Sequence, residues 1–320
     1  MSGKQYEFVS AKQVLNRVKS ERMPFEWSLN PYRGCAHGCS FCYARAFQTF
    51  LGREPTDDFQ NHIIVKDNAA EALEAQLRSF ARRHGVRPED VGPLVGPVAI
   101  GTATDPYQPI EAKAEQTRRC LSVLAEYGVP TTVTTRSPLV LRDVDVLKQV
   151  DLISINISIN TLDAALTRRL EPATPLPAER LRALRALASE GLPAGAFVAP
   201  ILPLLTDDEA GLNELFAALK AHDAAFAMTS LLRLSPDVKP WYFRTLDQHF
   251  PDLVGRYARL YAKTYVDAAY AGMMESRLKR IAERHGLDRR APERAEASRA
   301  PTAAPRKPPT EEPVQLSFLF

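Results

Sequence analysis

The chain has 320 residues, of which 45% are hydrophobic and 25% charged, and its net charge is +3. That length supports one large domain or two small ones, with a core that needs no staples. So small a charge does not by itself argue for nucleic acid, and no apolar run approaches the roughly 20 residues of a membrane span.

In chain order, residues 1–26 read as an N-terminal extension. The opening "MSGKQYEFVSAKQVL" has neither a long apolar core nor a small-residue cleavage site, so a cytoplasmic protein is expected. Residues 27–235 alternate strand-like runs with helical ones. The strand-like runs are "EWSLN", "HIIVK" at 62–66, "VGPVAIGTA" at 95–103, "VPTTVTT" at 129–135, "DLISINISI" at 151–159, "AGAFVAPI" at 194–201 and "FAMTSLLRL" at 226–234. "DNAAEALEAQLRSFARRHG" reads as a helix, with Asn68 as N-cap, a stripe of Leu73, Leu77 and Phe80, and Gly85 as the stop. "PAERLRALRALASEG" reads likewise and ends at Gly191. Strand–helix–strand order of this kind predicts an α/β fold with a parallel sheet: a partial (β/α)6-type barrel over 27–235. Residues 236–286 read as a C-terminal helical extension, helical in pattern from 248 onward. Six prolines and eleven charges between Leu287 and Val314 predict a disordered tail over 287–320, closed by the apolar tip "QLSFLF".

Three of the four cysteines lie within "CAHGCSFC", as Cys35, Cys39 and Cys42 in C-x3-C-x2-C spacing just after the first strand. Thiols so close read as metal ligands or redox groups in a reducing compartment, not as a disulfide framework. An iron–sulfur cubane normally takes four thiolates. Three leave one iron open, which suits a site that binds a small molecule. The same segment also offers a closed Cys3His zinc set with His37 as fourth ligand, and hence a non-catalytic scaffold. The fourth cysteine, Cys120, falls with Thr117, Leu121 and Leu124 at i, i+3, i+4, i+7 spacing, the buried stripe of a helix.

The cysteine spacing after the first strand of a (β/α) chain resembles the radical S-adenosylmethionine superfamily. "GTATDPYQPIE", "TTRSPLVLRDVDVL", "LEPATPLPAERLRAL" and "VAPILPLLTDDE" are similar to the branch related to spore photoproduct lyase. The resemblance spans about residues 25–235. It implies a [4Fe-4S] cluster on Cys35, Cys39 and Cys42. S-adenosylmethionine would bind the open iron, accept one electron and break to a 5′-deoxyadenosyl radical that abstracts hydrogen from a substrate. It also implies an electron donor such as flavodoxin or ferredoxin, and a possible DNA substrate. By position, Phe41 lies where the family's backbone contacts adenine. Thr104 and Asp105 fall where the methionine amino group is held. Arg136 and Ser137 are candidates for the carboxylate and ribose. Asn156 and Ser158 share one face of their strand and stand for ribose or substrate contacts, or for side chains that satisfy each other. The lyase proper uses an additional cysteine before the TxD turn. Thr102 stands near that place, so Tyr43 and Tyr107 become the candidate radical relays.

The remaining features carry less. Arg33, Arg45 and Arg53 flank the cysteine loop, either to bind a phosphate-bearing substrate or to balance cluster charge. Arg168, Arg169 and Glu171 fall on the presumed substrate face. His84 and His285 each precede a glycine at a helix end, where a macrodipole role suffices, and histidines 62, 222 and 249 show no ligand spacing. The tip Gln315–Phe320 resembles the short motifs that bind bacterial sliding clamps; fold-back onto the barrel is the other reading. The expected function is reductive cleavage of S-adenosylmethionine with hydrogen abstraction from a substrate, a damaged nucleic-acid base among the possibilities. A clamp- or DNA-associated repair factor in which binding is the main role is the alternative, beside the zinc scaffold.

Overall fold

The computed structural model describes residues 3–19 and 23–288. Ten strands run β1 (Gln5–Val9), β2 (Leu15–Arg17), β3 (Trp27–Leu29), β4 (Tyr32–Arg33), β5 (His62–Lys66), β6 (Val98–Ile100), β7 (Thr131–Thr135), β8 (Leu152–Ser158), β9 (Ala194–Ile201) and β10 (Ala227–Leu231) among the described residues. Seven make the main sheet in the order β10-β9-β8-β7-β6-β3-β2. Every pair from β3 to β10 is parallel, and β2 adds antiparallel to β3 at the edge. Six parallel strands with helical crossovers form an open, partial (β/α) barrel, the expected fold class.

"HIIVK" is the exception to the expected succession. As β5 it leaves the barrel and sits between β1 and β4 in a separate three-stranded sheet. The physical reason is its pairing: β1 takes one edge of it in parallel and β4 the other antiparallel, with Ile63 and Val65 buried and His62 and Ile64 half-buried. β1 and β2 were not foreseen in the N-terminal extension.

The alternation along each barrel strand sorts two environments. On the outer side Leu29, Val98, Ile100, Val133, Ile155, Ile157, Ala196 and Val198 pack against Leu73, Leu77, Leu121, Leu124, Leu184, Leu212, Phe216 and Ile281 of the surrounding helices. Cys120 is fully buried in that layer, as its helical stripe predicts. On β3, β6, β7 and β8 the intervening residues face inward, and they are small or polar: Ser28, Ala99, Thr132, Thr134, Ser154, Asn156 and Ser158; β9 adds the larger Phe197 beside Ser158. An apolar outer layer holds the barrel, and a polar inner face is left for a ligand.

The helix Ala69–His84 ends at Gly85 with φ 65°. Asn68 does not cap it. Its amide instead pairs with both backbone groups of Ala11, tying the N-terminal segment down. The pattern from 248 breaks into Val254–Leu260 and Ala268–His285, because Asp267 caps the second helix by accepting from Ala269 N and Tyr270 N. Leu287 is fully buried and hydrogen-bonds to Ala282 and Ala227, so the folded body reaches into the segment expected to be disordered. The rest of that tail, with the tip Gln315–Phe320, lies outside the described residues. Among those described, no helix is long and apolar enough to cross a membrane.

Candidate active site

The cysteine loop leaves β4 at the C-terminal rim of the barrel. Gly34 makes the exit: its φ is +73°, and a Cβ there would meet the carbonyls of His62 and Phe59 at 2.7 and 2.8 Å. Cys35 and Cys39 are buried and Cys42 is half-buried. Neighbouring segments then fasten the loop from several sides. Cys35 N donates to Phe59 O (2.8 Å), Ser40 N to Leu170 O (2.8 Å), and Ala36 N to Gln108 Oε1 (2.9 Å).

Arg45 is the central fastener. It is fully buried, and its guanidinium donates to the carbonyls of Cys39 (3.0 Å), Gly38 (3.1 Å) and Thr56 (2.7 Å) and to Gln60 Oε1 (2.6 Å). Its faces lie against Phe59 and Trp241, 5.0 and 4.5 Å from the ring centroids. Sequence reasoning placed Arg45 beside the loop but not inside it. The three flanking arginines thus part company: Arg53 approaches Glu7 at 3.6 Å, and Arg33 points away into a side pocket.

Opposite the loop, the turn after β6 carries the "TATD" residues. Gly101, with φ +94°, lets this turn approach β7 so closely that a Cβ would lie 2.2 Å from Thr134 O. Asp105 is buried, and its side chain is fully engaged by the chain. Oδ1 accepts from Thr135 Oγ1 (2.6 Å) and Tyr107 N (2.9 Å), Oδ2 accepts from Arg136 N (2.8 Å), and His37 Nδ1 lies 3.3 Å from Oδ2. Burial alone would raise its pKa, but His37, Thr135 and the Arg136 amide outweigh it and hold the carboxyl at about 2. Thr104 donates to Gly34 O at 2.6 Å. The two residues expected to meet a ligand therefore brace the rim. Ser137 does the same: its hydroxyl accepts from Leu139 N and caps the short turn after β7.

Arg136 reaches across the rim. Its Nε lies 3.2 Å from Glu171 Oε2, and its guanidinium carbon lies 5.9 Å from the Phe41 ring centroid. Buried Glu171 also takes Arg180 Nη2 at 2.6 Å, and Arg180 in turn holds Ser158 O and Thr174 Oγ1. Burial pushes the Glu171 carboxyl up, but Arg180 and Arg136 bring it below its ordinary value. Arg180 was missed, because among the three arginines of its helical stretch nothing in the sequence marks it as the buried one. On the inner face, Asn156 Nδ2 donates to Thr134 Oγ1 (3.2 Å), while its Oδ1 is buried with no partner among the described residues. Ser158 is buried beside it on the same face.

The two tyrosines separate. Tyr43 follows Cys42 directly, remains half-exposed, and its hydroxyl donates to Thr102 O. Tyr107 is wholly buried in the outer apolar layer, with Cys120 and not with the other thiols. His37 turns Nδ1 to Asp105, and among the described residues no group of three or more His, Cys, Asp or Glu side chains is arranged around a single metal ion.

Burial, with Asp105 nearby, pushes Cys35 up to about 12. Burial raises Cys39 and Cys42 as well, while Arg136 beside both and Arg45 beside Cys42 act against it. Backbone N–H groups of Asp105 and His37 are directed at the Cys35 sulfur, and those of Ala44 and Arg45 at Cys42. Soft sulfur donors, shielded from water and met by N–H groups and two guanidiniums, fit an iron–sulfur cluster.

An open (β/α) barrel with a three-thiol loop on its C-terminal rim and a polar inner face defines a cofactor-dependent enzyme class. Residues 29–215 match the radical SAM superfamily, and the chain belongs to it, as a radical SAM enzyme. An uncharacterized protein of Mycobacterium tuberculosis is 32% identical over 304 residues, covering 92% of this chain and 86% of the relative. An uncharacterized protein of Methanocaldococcus jannaschii is 27% identical over 206 residues, covering 64% of this chain and 71% of the relative. Spore photoproduct lyase in complex with dinucleoside spore photoproduct superposes with a TM-score of 0.65 at 19% identity, covering 88% of this chain and 80% of that one. A variant of that lyase with bound AdoMet gives 0.63. The chain thus has the fold of spore photoproduct lyase. Its superfamily is one of enzymes, so the zinc scaffold falls away.

Proposed function

We propose that this enzyme cleaves S-adenosylmethionine reductively and abstracts hydrogen from a damaged nucleic-acid base. One observation carries the reading: three shielded thiols on one rim loop overlook a polar inner face whose Asn156 Oδ1 has no partner among the described residues. Cys35, Cys39 and Cys42 would hold a [4Fe-4S] cluster. When bound, cluster and cofactor together supply one-electron cleavage of the sulfonium and the hydrogen-abstracting species.

The chain's own residues do the rest. Arg45 holds the loop in shape, and its charge with that of Arg136 offsets the three thiolates. Asp105 and Thr104 keep the 102–107 turn against the loop and fix the backbone of Arg136. That leaves the Arg136 guanidinium, held by Glu171, to orient the cofactor carboxylate. Phe41 and the apolar residues around it, Leu166, Leu170 and Leu202, exclude water from the loop. Asn156 and Ser158 supply polar contacts to ribose or substrate. Tyr43, at the rim, is the candidate relay in place of the lyase cysteine. A ferredoxin or flavodoxin supplies the electron.

The nucleic-acid part rests on the shared fold with a lyase solved with dinucleoside spore photoproduct. The test is to reconstitute the protein anaerobically and compare ultraviolet-irradiated with untreated oligonucleotides carrying deuterium at the thymine methyl and ring positions. Deuterium appearing in 5′-deoxyadenosine only with irradiated DNA supports the reading. Unchanged 5′-deoxyadenosine yield without deuterium transfer would refute the DNA substrate.

A further inference from the structure

The three-stranded sheet of β1, β5 and β4 carries a second polar feature. Register places Val9, Ile64, Lys66 and Arg33 on one face of it. With Lys12, Gln13 and Asn16 they line a pocket of about 280 Å3 in which no lining side chain is acidic. Lys66 is 8% exposed, and its ammonium donates to Asn30 O at 2.7 Å. An ammonium has three protons to donate, and Lys66, which lines the pocket, spends one of them on Asn30 O. Among the described residues neither Lys66 nor Arg33 nor Lys12 forms an ion pair. Glu7, on the same face of β1, is taken by His62 at 2.7 Å and Arg53 at 3.6 Å. A buried cation is normally paired, and two cations side by side without a carboxylate leave a gap of negative charge.

We propose that this pocket binds the phosphate group of a small phosphate ester. Lys66 and Arg33 clamp the phosphate oxygens, Lys12 closes the rim, and the amides of Gln13 and Asn16 add neutral donors. The pocket is larger than a phosphate alone needs, and Ile64 and Val9 offer an apolar floor for the body of the ester. Burial, with Arg33 beside it, pushes the free Lys66 ammonium down to about 8. A bound dianion reverses that, so binding takes up a fraction of a proton near pH 8. The site lies behind the strand that leads into the cysteine loop and does not depend on the cluster chemistry.

The test is isothermal titration of the full chain, without reconstitution, with inorganic phosphate and with adenosine 5′-monophosphate. Ionic strength is held constant with chloride. Saturable binding by the wild type is expected, weakened at least tenfold in Arg33→Gln and in Lys66→Met. Arg33 is exposed, so its variant answers the question even where Lys66→Met fails to fold. Tighter binding of the nucleotide assigns the ester; equal binding of the two probes assigns free phosphate as the ligand. No saturable binding of either probe at millimolar concentration, or full affinity in Arg33→Gln, overturns the proposal.

Discussion

Asp105→Asn isolates the electrostatics of the rim. The wild-type carboxyl is held at about 2 against an ordinary 3.8. Because the folded value is depressed, its contribution is complete above pH 3.8 and is lost as pH falls through about 2. A depression of almost two units corresponds to about 2 kcal/mol. Asparagine keeps one acceptor but turns its N–H2 either toward the donors Thr135 Oγ1 and Tyr107 N or toward the donor Arg136 N. The variant should therefore lose about 2–4 kcal/mol at pH 7. The assay is urea unfolding of the metal-free chain under reducing conditions, wild type and variant in parallel, at steps from pH 7 to pH 3. At pH 3 about half of the wild-type contribution is gone, so the gap between the two proteins should narrow by about 1 kcal/mol. A gap that stays constant over this range, or a variant as stable as wild type at pH 7, would show that the carboxylate is not braced as described.

Arg45→Ala removes hydrogen bonds to three carbonyls and to Gln60 Oε1, with the Gly38 carbonyl losing its one donor among the described residues, and should cost about 3 kcal/mol or more in urea unfolding and most of the iron bound on reconstitution. Arg45→Lys should not restore either, since one ammonium cannot span the same carbonyls. Asn156→Ala gives up a single 3.2 Å hydrogen bond; its unfolding free energy should change by about 1 kcal/mol or less, whereas S-adenosylmethionine binding to the reconstituted protein, measured by equilibrium dialysis, should weaken roughly tenfold. If the tip Gln315–Phe320 is a clamp anchor, a labelled peptide of residues 308–320 binds purified sliding clamp more tightly than its Gln315→Ala/Phe320→Ala version; equal weak signals from the two discard the anchor and leave fold-back as the reading.

Much of the barrel was legible because its signals are local. "AGAFVAPI" coincides with β9 residue for residue, and Gly85 and Gly191 stop their helices with positive φ. The cysteine spacing was legible for the same reason: all three thiols sit on one short loop. What escaped depends on pairing across the chain. "HIIVK" has strand character, but only the distant β1 and β4 decide which sheet it joins. Asn68 stands where a cap belongs, yet Ala11 claims its amide. Thr104 and Asp105 were singled out by position, but whether a carboxylate faces a ligand or a neighbouring backbone N–H cannot be read from spacing. Arg180 and Lys66 look like surface charges in sequence, and it is the packing around Glu171 and Asn30 that buries them.

The central claim is that Cys35, Cys39 and Cys42, and not Cys120 or His37, carry the cluster chemistry. It is tested most directly by anaerobic reconstitution with iron and sulfide, reduction, and measurement of iron per chain together with 5′-deoxyadenosine released from S-adenosylmethionine. Wild type, Cys120→Ala and His37→Ala should retain bound iron, and wild type and Cys120→Ala should release 5′-deoxyadenosine. Cys35→Ala, Cys39→Ala and Cys42→Ala should each lose both. Release of 5′-deoxyadenosine by any of those three variants, or none from a fully loaded wild type, would contradict the account.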